Sequence, residues 1–485
     1  MIRNTFKVLP IICLTILLAF PNCGKPVKTP AQKADIAQEL IEKLNHIPLG
    51  ITFQVEPANV SVEPAAQDRY LVTFKNSSTL IDTSIFKQLN TGLQLKTGKI
   101  PVKTEEIVYK YGPEEKYLEI VSLKGMSVEW DISKVLIVPD ANKAKPLPSE
   151  MTVWFSIGSA EFQNYNVSPL LDTKAQNLLE LLGAMMGKIT SVRYTVNNLG
   201  YGVRGEENQK KMSFQIEAEK IEGSQKILPE VFISIYLKAT QPPNLAKFLE
   251  QGSPLLDLSM KFSTLKISFT QGGNLQGEGT AQNLDFSYFL KPNSSKSFFV
   301  YGFDWDLKNV KLTVPGNKDL EAIGNIDEMN MKFSLENLST SFVEAYLNLL
   351  RKSMELSGTM DKEKIHQQQM MMGMTIASEF MKSQPVIKCS FAPLKHSLGE
   401  MQADIDIKFL NLMAPPVGKA AVTFPKIEET LARIKTSLSG TIAEKLIKMA
   451  KDYLVFDKQG NGRITFEIKQ DQPGKFFLNG KPVMK

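Results

Sequence analysis

The sequence predicts an α+β protein in which elongated, curved and mainly antiparallel β-sheets pack against amphipathic helices. The first observation is strict alternation of apolar and polar residues in the segments 212–219, 401–409 and 463–468. A period of two places one face of a strand on a core and the other in water. Short polar turns join many such segments, which is typical of antiparallel sheets. Other segments carry apolar residues at three- and four-residue spacing, which is typical of amphipathic helices.

The chain begins with the features of an export signal. Arg3 and Lys7 precede an uninterrupted apolar run at 8–20. This run is shorter than the roughly 20 residues of a permanent membrane-spanning helix. A charged start followed by a short apolar core is typical of a cleaved signal peptide. We therefore expect residues 1–22 to be a signal peptide. The mature chain is expected in the cell envelope, on the periplasmic or surface face of a bacterial membrane.

The residues at 19–23 resemble the lipobox of bacterial lipoproteins, in which the cysteine receives a lipid. Phe20 and Asn22 stand where that motif usually carries Leu and a small residue. No Ala-x-Ala cleavage site follows the apolar run, and residues 23–33 are rich in Lys, Pro and Thr, as in a solvated tether. The sequence thus predicts a lipid on Cys23, with the membrane as a partner reached through that lipid.

The cysteines allow an alternative at this position. Cys13 would leave with the signal peptide, so lipidation of Cys23 leaves Cys389 as a free thiol. If Cys23 instead stays unmodified, it can form a disulfide with Cys389, which an oxidising periplasm permits.

Length and composition allow a large core divided into two regions. The chain has 485 residues, 43% of them hydrophobic, and a net charge of +6. A hinge rich in Pro and Lys at 139–150 divides an N-terminal α+β region, 34–145, from a C-terminal β-rich region with helical hairpins, 146–485. The lysines are spread along the chain without a dense basic stripe interleaved with aromatic residues, which argues against nucleic acid as a partner.

The remaining elements follow in chain order. Strands are predicted at 128–138, 152–157, 231–237, 256–269 and 298–314 in addition to the three alternating segments. Helices are predicted at 34–46, 170–186, 339–356, 361–381, 427–438 and 443–453. Similar phrases at 260–263, 331–334 and 407–410 indicate either a decayed internal repeat or the common pattern of half-buried strands.

The segment 457–468 resembles a calcium-binding EF-hand loop, with Asp457 at the first ligand position and Asn461 at the fifth. An EF-hand also needs an oxygen ligand at the third position and a bidentate Glu at the twelfth. Gln459 and Ile468 occupy those two positions. The favoured interpretation is therefore a turn that leads into a hairpin, and calcium binding by Asp457 and Asn461 is the alternative.

A methionine cluster offers a second candidate metal site. Met370, Met371 and Met374 share the predicted helix 361–381 with His366. Thioether sulfur near an imidazole suits Cu(I). Against this, Met371, Met372 and Met374 point to different helix faces, and a structural role is favoured because an ordinary core stripe is formed by Ile365, Met372, Ile376 and Phe380. A third interpretation is a flexible surface that adapts to varied apolar ligands.

Signatures of enzymes are weak throughout the chain. The three histidines, His46, His366 and His396, are scattered, so they form no zinc motif and support no catalytic triad. The segment 183–188 is one residue too short for a phosphate-binding loop. We therefore predict that the protein is not an enzyme and needs no cofactor.

The C-terminal segment 477–483 follows a helix and short strands and contains the phrase Asn-Gly-Lys. It resembles the ending of YdgA-like bacterial envelope proteins, whose long series of strand pairs with interspersed helices this chain also resembles. The lipobox-like start departs from that family, which is usually anchored by an N-terminal transmembrane segment. The resemblance implies an envelope location and an architecture similar in outline to tubular lipid-binding and AsmA-like proteins.

Alternating strands would supply one continuous apolar face, and a curved sheet could enclose a groove for an acyl chain. The sequence therefore predicts a non-enzymatic envelope lipoprotein that binds a lipid or another apolar ligand, or that scaffolds an envelope partner. The alternative is a metal-binding envelope protein that uses the calcium or copper candidates.

Overall fold

The computed structural model describes most of the chain. The described residues are 30–45, 51–83, 94–95, 98–131, 136–137, 151–171, 189, 191–207, 210–227, 244–356, 362–410, 415–469, 471 and 475–482. Several predicted features lie outside them, namely the signal peptide, Cys23 and most of its tether, the segment 139–150, the strand 231–237 and most of the helix 170–186.

Two compact units make up the fold. The first comprises Met1–Pro242 and Thr270–Asn274, and the second comprises Pro243–Phe269 and Leu275–Lys485. This division differs from the predicted boundary between residues 145 and 146. The reason is strand pairing, since the strands at 117–131 and 151–163 pair directly across the predicted boundary.

The first unit is a helix packed on an antiparallel meander. Its elements are α1 (Pro30–Leu44), β1 (Ile51–Gln54), β2 (Val60–Ala65), β3 (Arg69–Asp82), β4 (Gln94–Leu95), β5 (Lys99–Gly112), β6 (Tyr117–Asp131), β7 (Leu136–Ile137), β8 (Met151–Gln163), β9 (Ser191–Glu207) and β10 (Lys210–Ile227), with short 3-10 turns at Pro57–Asn59 and Ser168–Leu171. Strands β1 and β2 pair with one edge of β3, and the order then continues through β5, β6, β8, β9 and β10. The two short strands β4 and β7 pair with each other.

The core of this unit confirms the predicted amphipathic helix at its N-terminus. Ile36, Leu40 and Leu44 of α1 are fully buried, and α1 packs on β1 and β2. The four-residue spacing of these side chains places them on one side of the helix. Beneath them, the buried ring of Phe74 meets Phe53 and Tyr109 edge-on, at centroid distances of 5.1 Å and 5.8 Å.

A line of irregular backbone crosses this sheet. Asn76, Gly125 and Asn198 have φ values of 49°, 59° and 53° on the alternate strands β3, β6 and β9. Strand pairing skips one residue on each strand along this line, at Asn76, Glu105, Gly125, Gly158, Asn198 and Glu219. One residue is skipped on each strand at every crossing, so the register of the sheet is the same on both sides of the line.

The second unit contains long antiparallel strands and six helices among its described residues. Its strands are β11 (Leu256–Gln271), β12 (Asn274–Pro292), β13 (Phe299–Thr313), β14 (Ile326–Leu338), β15 (Val386–His396), β16 (Gly399–Lys408), β17 (Val417–Phe424), β18 (Val455–Phe456), β19 (Gly462–Ile468), β20 (Phe476–Leu478) and β21 (Lys481–Pro482). Its helices are α2 (Leu245–Gln251), α3 (Lys318–Gly324), α4 (Thr340–Leu356), α5 (Lys362–Lys382), α6 (Ile427–Ser437) and α7 (Gly440–Tyr453).

The predicted helices and strands of this unit are confirmed, whereas strands β12, β14, β15 and β17 and two short helices were not predicted. Helices α4 and α5 form one contacting pair and α6 and α7 another. The missed helices α2 and α3 have seven residues each, which is too short for a helical period to show. Asn244 and Asn317 cap them by accepting a hydrogen bond from the backbone three residues later. The three similar phrases at 260–263, 331–334 and 407–410 begin in β11, β14 and β16.

Close packing on one side of this sheet leaves no room for a side chain at Gly302 of β13. A Cβ at this position would lie 2.6 Å from the ring of Phe289 and 2.7 Å from the carbonyl oxygen of Phe333. We expect Gly302→Ala to lower the free energy of unfolding by about 1–3 kcal/mol, the usual cost of overpacking. Gly279→Ala is the matched control on β12, since nothing lies within 4 Å of its Cβ position. The free energy of unfolding of both variants is measured by urea denaturation. An equal loss in the two variants would mean that the close packing around Gly302 is not the cause.

No helix among the described residues is both long enough and apolar enough to cross a lipid bilayer.

Candidate functional site

One side of the sheet in the second unit is apolar over seven strands, β12 to β17 and β19. Strand register places its residues in three rows that cross these strands. The rows are Phe286, Trp305, Met331, Phe391, Ala403, Val422 and Ile464; Tyr288, Phe303, Phe333, Cys389, Ile405, Ala420 and Phe466; and Leu290, Tyr301, Leu335, Ile387, Ile407, Gly418 and Ile468. None of them contains a charged residue, and we call this surface the apolar face.

The opposite side of the same strands is polar. Asp304, Lys332, Ser390 and Asp404 are cross-strand neighbours there, one residue away from the rows of the apolar face. An open depression of about 610 Å³ lies mostly among such polar-side residues. Its lysine Lys388 is paired with Glu336 at 2.7 Å. This depression has the character of a solvated, ion-paired surface and not of a site for an apolar ligand.

Aromatic rings dominate one end of the apolar face. Phe303 stacks on Phe333 with ring centroids 5.0 Å apart and lies 5.6 Å from Trp305. Phe286 meets Trp305 edge-on at 5.9 Å. Such contacts hold the rings in fixed positions through neighbours on adjacent strands. The result is a rigid apolar surface and not a loose cluster.

The apolar face is only partly covered. Most of its side chains are half-buried, while 38% of Trp305 and 49% of Phe466 are exposed. Among the described residues, every large hydrophobic side chain classed as exposed belongs to the second unit. The first unit instead encloses Phe74, Tyr109 and Tyr111 completely. This contrast identifies the apolar face as the best candidate site for an apolar ligand.

Helices meet the apolar face at both ends of its strands. At one end, the ring of Phe380 on α5 lies 5.6 Å from Phe409, just after β16, and 5.5 Å from Phe342 on α4. At the other end, a Cβ on Gly399 would collide with Thr430 of α6. Trp305 and Phe466 retain their exposure between these two regions. An extended apolar ligand lying across the strands, between the two helical regions, would replace water over this surface.

Tyr288 and Tyr301 place hydroxyl groups beside these rings. Their ring centroids lie 5.1 Å apart. Burial is the main cause that raises the pKa of Tyr288, and its hydrogen bond with Tyr301 and the nearby Tyr346 raise that pKa further. The Tyr288 hydroxyl therefore remains neutral at physiological pH, so it adds polarity to this part of the apolar face without adding charge.

Cys389 lies in the middle row of the apolar face, between Phe333 and Ile405. It is a free, half-buried thiol, and burial raises its pKa. A thiol in these surroundings acts as a small apolar group. Cys23, its alternative disulfide partner, lies outside the described residues, so lipidation of Cys23 stays a prediction.

The EF-hand-like segment forms a hairpin turn. Val455 and Phe456 of β18 pair with Arg463 and Gly462 of β19. The Asp457 carboxylate accepts hydrogen bonds from the backbone N–H groups of Gln459 and Asn461, at 2.8 Å and 2.9 Å. Its second oxygen accepts a bond from the side-chain amide of Asn461 at 2.9 Å. The turn itself thus uses both candidate oxygens of Asp457, and a strand replaces the exiting helix of an EF-hand.

Asp457 should therefore stabilise the turn without calcium. The N–H groups of Asn461 lower its pKa. A carboxyl group with a lowered pKa in the folded state contributes stability above its unfolded pKa of about 3.9. That contribution is lost as the pH falls through the lowered pKa. Asp457→Ala should lower the thermal midpoint at pH 7, and its difference from the wild type should shrink in acid.

The same melting curves test calcium. We expect millimolar Ca²⁺ to leave the wild-type midpoint unchanged at pH 7. A calcium-dependent rise in the wild type that is absent from Asp457→Ala would contradict the hairpin interpretation and restore the calcium site.

Three methionines of α5 do not pack in a core. The exposed fractions of Met370, Met371 and Met374 are 55%, 70% and 74%. The expected core stripe of this helix runs through Met372 and not through these three residues, and the side chain of Met372 lies outside the described residues. His366 belongs to the same helix, but its side chain lies outside the described residues. Within the described part of the chain, no group of three His, Cys, Asp or Glu side chains could hold a metal ion.

Sequence reasoning missed the aromatic part of the site. The alternation of Tyr301, Phe303 and Trp305 on β13 was available as a signal, because residues two apart share one face of a strand. Their partners Phe286 and Phe333 come from other strands. Only strand register could bring the three strands together.

Searches of protein-family models, curated proteins and solved structures find no match to this chain.

Proposed function

We propose that this protein is a non-enzymatic cell-envelope lipoprotein that binds a lipid acyl chain or another apolar ligand on its apolar face. The observation that carries the proposal is the set of three uncharged rows across seven strands. These rows are left half-exposed where Trp305 and Phe466 lie. Exposed apolar surfaces of this extent mark sites for ligands, membranes or protein partners.

The energetics favour an extended apolar ligand. Removing apolar surface from water is favourable by about 25 cal/mol per Å². An acyl chain can follow the rows from Phe303 to Phe466 and bury surface on both molecules at once. Its methylene groups need no hydrogen bonds, and the side chains of these rows offer few of them, chiefly at Tyr288, Tyr301 and the indole N–H of Trp305. The apolar face therefore matches a hydrocarbon better than a polar metabolite.

The envelope part of the proposal rests on the export signal and the lipobox-like residues at 19–23. A lipid on Cys23 would hold the protein at a bilayer, where apolar ligands are concentrated. The lipid anchor would keep the protein at the membrane, and the apolar face would bind a lipid taken from that membrane.

Native mass spectrometry after gentle purification tests ligand binding. We expect co-purified lipid, or uptake of a fluorescent fatty acid by lipid-free protein. Alkylation of Cys389 should also slow when fatty acid is bound, because this thiol lies in the middle row. If neither a co-purified lipid nor fatty-acid uptake is found, the ligand-binding proposal is wrong.

A further inference from the structure

Helix α7 carries apolar side chains that the second unit does not cover. Leu446, Met449 and Tyr453 are exposed by 37%, 57% and 49%. Their spacing of three and four residues places them on one side of the helix. Ala443 is buried, and α7 contacts α6. The helix is thus held on the unit by one side while a second apolar stripe faces solvent.

Exposed apolar side chains also occur in the hairpin that follows the helix. Val455 and Phe456 of β18 are exposed by 55% and 42%. The side chain of Asn479 donates a hydrogen bond to the Tyr453 carbonyl oxygen at 2.8 Å, which ties the end of the helix to the C-terminal strands. Val455 and Phe456 are consecutive in a strand and so point to opposite faces. We therefore define the α7 strip by the helix residues alone, Leu446, Met449 and Tyr453.

The charged residues around the α7 strip indicate whether a protein or a membrane surface would cover it. Lys445, Lys448 and Lys451 alternate with its residues along the helix, and Lys458 lies in the turn beyond it. Their opposite charges are Glu444, Asp452 and Asp457, and the carboxylate of Asp457 already accepts bonds within its turn. Lysine is depleted at the centres of protein interfaces. In helices that lie in a membrane interface, lysine is instead the usual companion of apolar residues.

We propose that the α7 strip docks on the surface of an anionic lipid bilayer, with α7 lying in the interface plane. Leu446, Met449 and Tyr453 would enter the boundary between headgroups and acyl chains, while the lysines stay at the level of the lipid phosphates. This contact is separate from a lipid on Cys23 and does not depend on ligand binding at the apolar face.

A fluorophore on α7 reports this contact directly. The full chain would carry Met449→Cys labelled with the environment-sensitive dye NBD, with Cys13, Cys23 and Cys389 replaced by Ser. The matched control places the dye at Glu250→Cys on α2, an exposed position of the same unit. Vesicles of phosphatidylglycerol and phosphatidylcholine, or of phosphatidylcholine alone, are added without fatty acid.

We expect a blue shift of the dye at position 449, and quenching by brominated lipids, with the anionic vesicles. The control dye at position 250 should show neither effect. Each lysine near an anionic surface strengthens binding severalfold. The double change Lys445→Gln and Lys448→Gln should therefore raise the vesicle concentration that gives half of the blue shift by roughly 30-fold.

Two outcomes would overturn the proposal. In the first, vesicles bind the chain while the dye at position 449 stays in water, which assigns binding to the N-terminal segment alone. In the second, neutral and anionic vesicles give equal shifts, which removes the role of the lysines. Fatty-acid uptake is measured separately on the chain with native Cys389, so a failure of one proposal is not read as a failure of the other.

Discussion

Replacing Ala420 with Trp should abolish most fatty-acid binding while the protein stays folded. Ala420 lies in the middle row of the apolar face, between Ile405 and Phe466, and is half-buried. A Trp side chain there would occupy surface that a ligand otherwise covers. If the ligand loses contact with an apolar area on the order of 100 Å², binding weakens by about 2.5 kcal/mol. That corresponds to a dissociation constant roughly 70-fold higher, measurable by titration with a fluorescent fatty acid.

The neighbouring residue provides a matched control. Ala421 is on the same strand but on the polar side, paired with Asp404 and Thr465. Ala421→Trp adds the same side chain to the opposite face, so it should leave fatty-acid affinity close to that of the wild type. Unfolding midpoints of both variants show whether each remains folded. Equal loss of affinity in the two folded variants would place the ligand elsewhere.

Truncating Phe74 should cause the largest loss of stability. Its side chain is fully buried and contacts the rings of Phe53 and Tyr109. Phe-to-Ala changes in such cores remove buried surface and leave a cavity, at a cost of about 3–5 kcal/mol. We expect Phe74→Ala to lower the free energy of unfolding of the first unit by this amount, measured by urea denaturation.

Phe466→Ala should have the opposite effects, a small loss of stability and a clear loss of ligand binding. Half of this ring is exposed, so its removal should cost less than about 1 kcal/mol of stability. It lies in the middle row, however, and its loss should weaken fatty-acid binding. A stability loss as large as that of Phe74→Ala would mean that Phe466 serves the core and not a binding surface.

Local periodicity was a reliable guide to individual elements. The alternation of Met401 to Phe409 predicted β16, and the helical spacing of Ile36, Leu40 and Leu44 predicted α1 and its buried side. These patterns work because a strand repeats every two residues and a helix every 3.6. Helices α2 and α3 escaped prediction because seven residues contain only two turns.

Local motifs were less informative about chemistry. Asp457 and Asn461 match two EF-hand positions, yet their polar atoms serve a tight turn. Turns and metal loops select the same residues, since both need side-chain oxygens close to the backbone. The methionines of α5 show a similar limit, because a helical pattern cannot tell an exposed stripe from one covered by another element.

The sequence by itself determined the type of those segments whose periodicity is clear, and which residues of each segment are apolar. Those properties depend on neighbours a few positions away along the chain. The tertiary structure alone decided that Phe286, Phe303, Phe333 and Phe466 share one face of one unit. It also decided that this face stays partly open while the first unit closes over Phe74. Both outcomes depend on strand register and helix packing between residues far apart in sequence, which a local pattern does not contain.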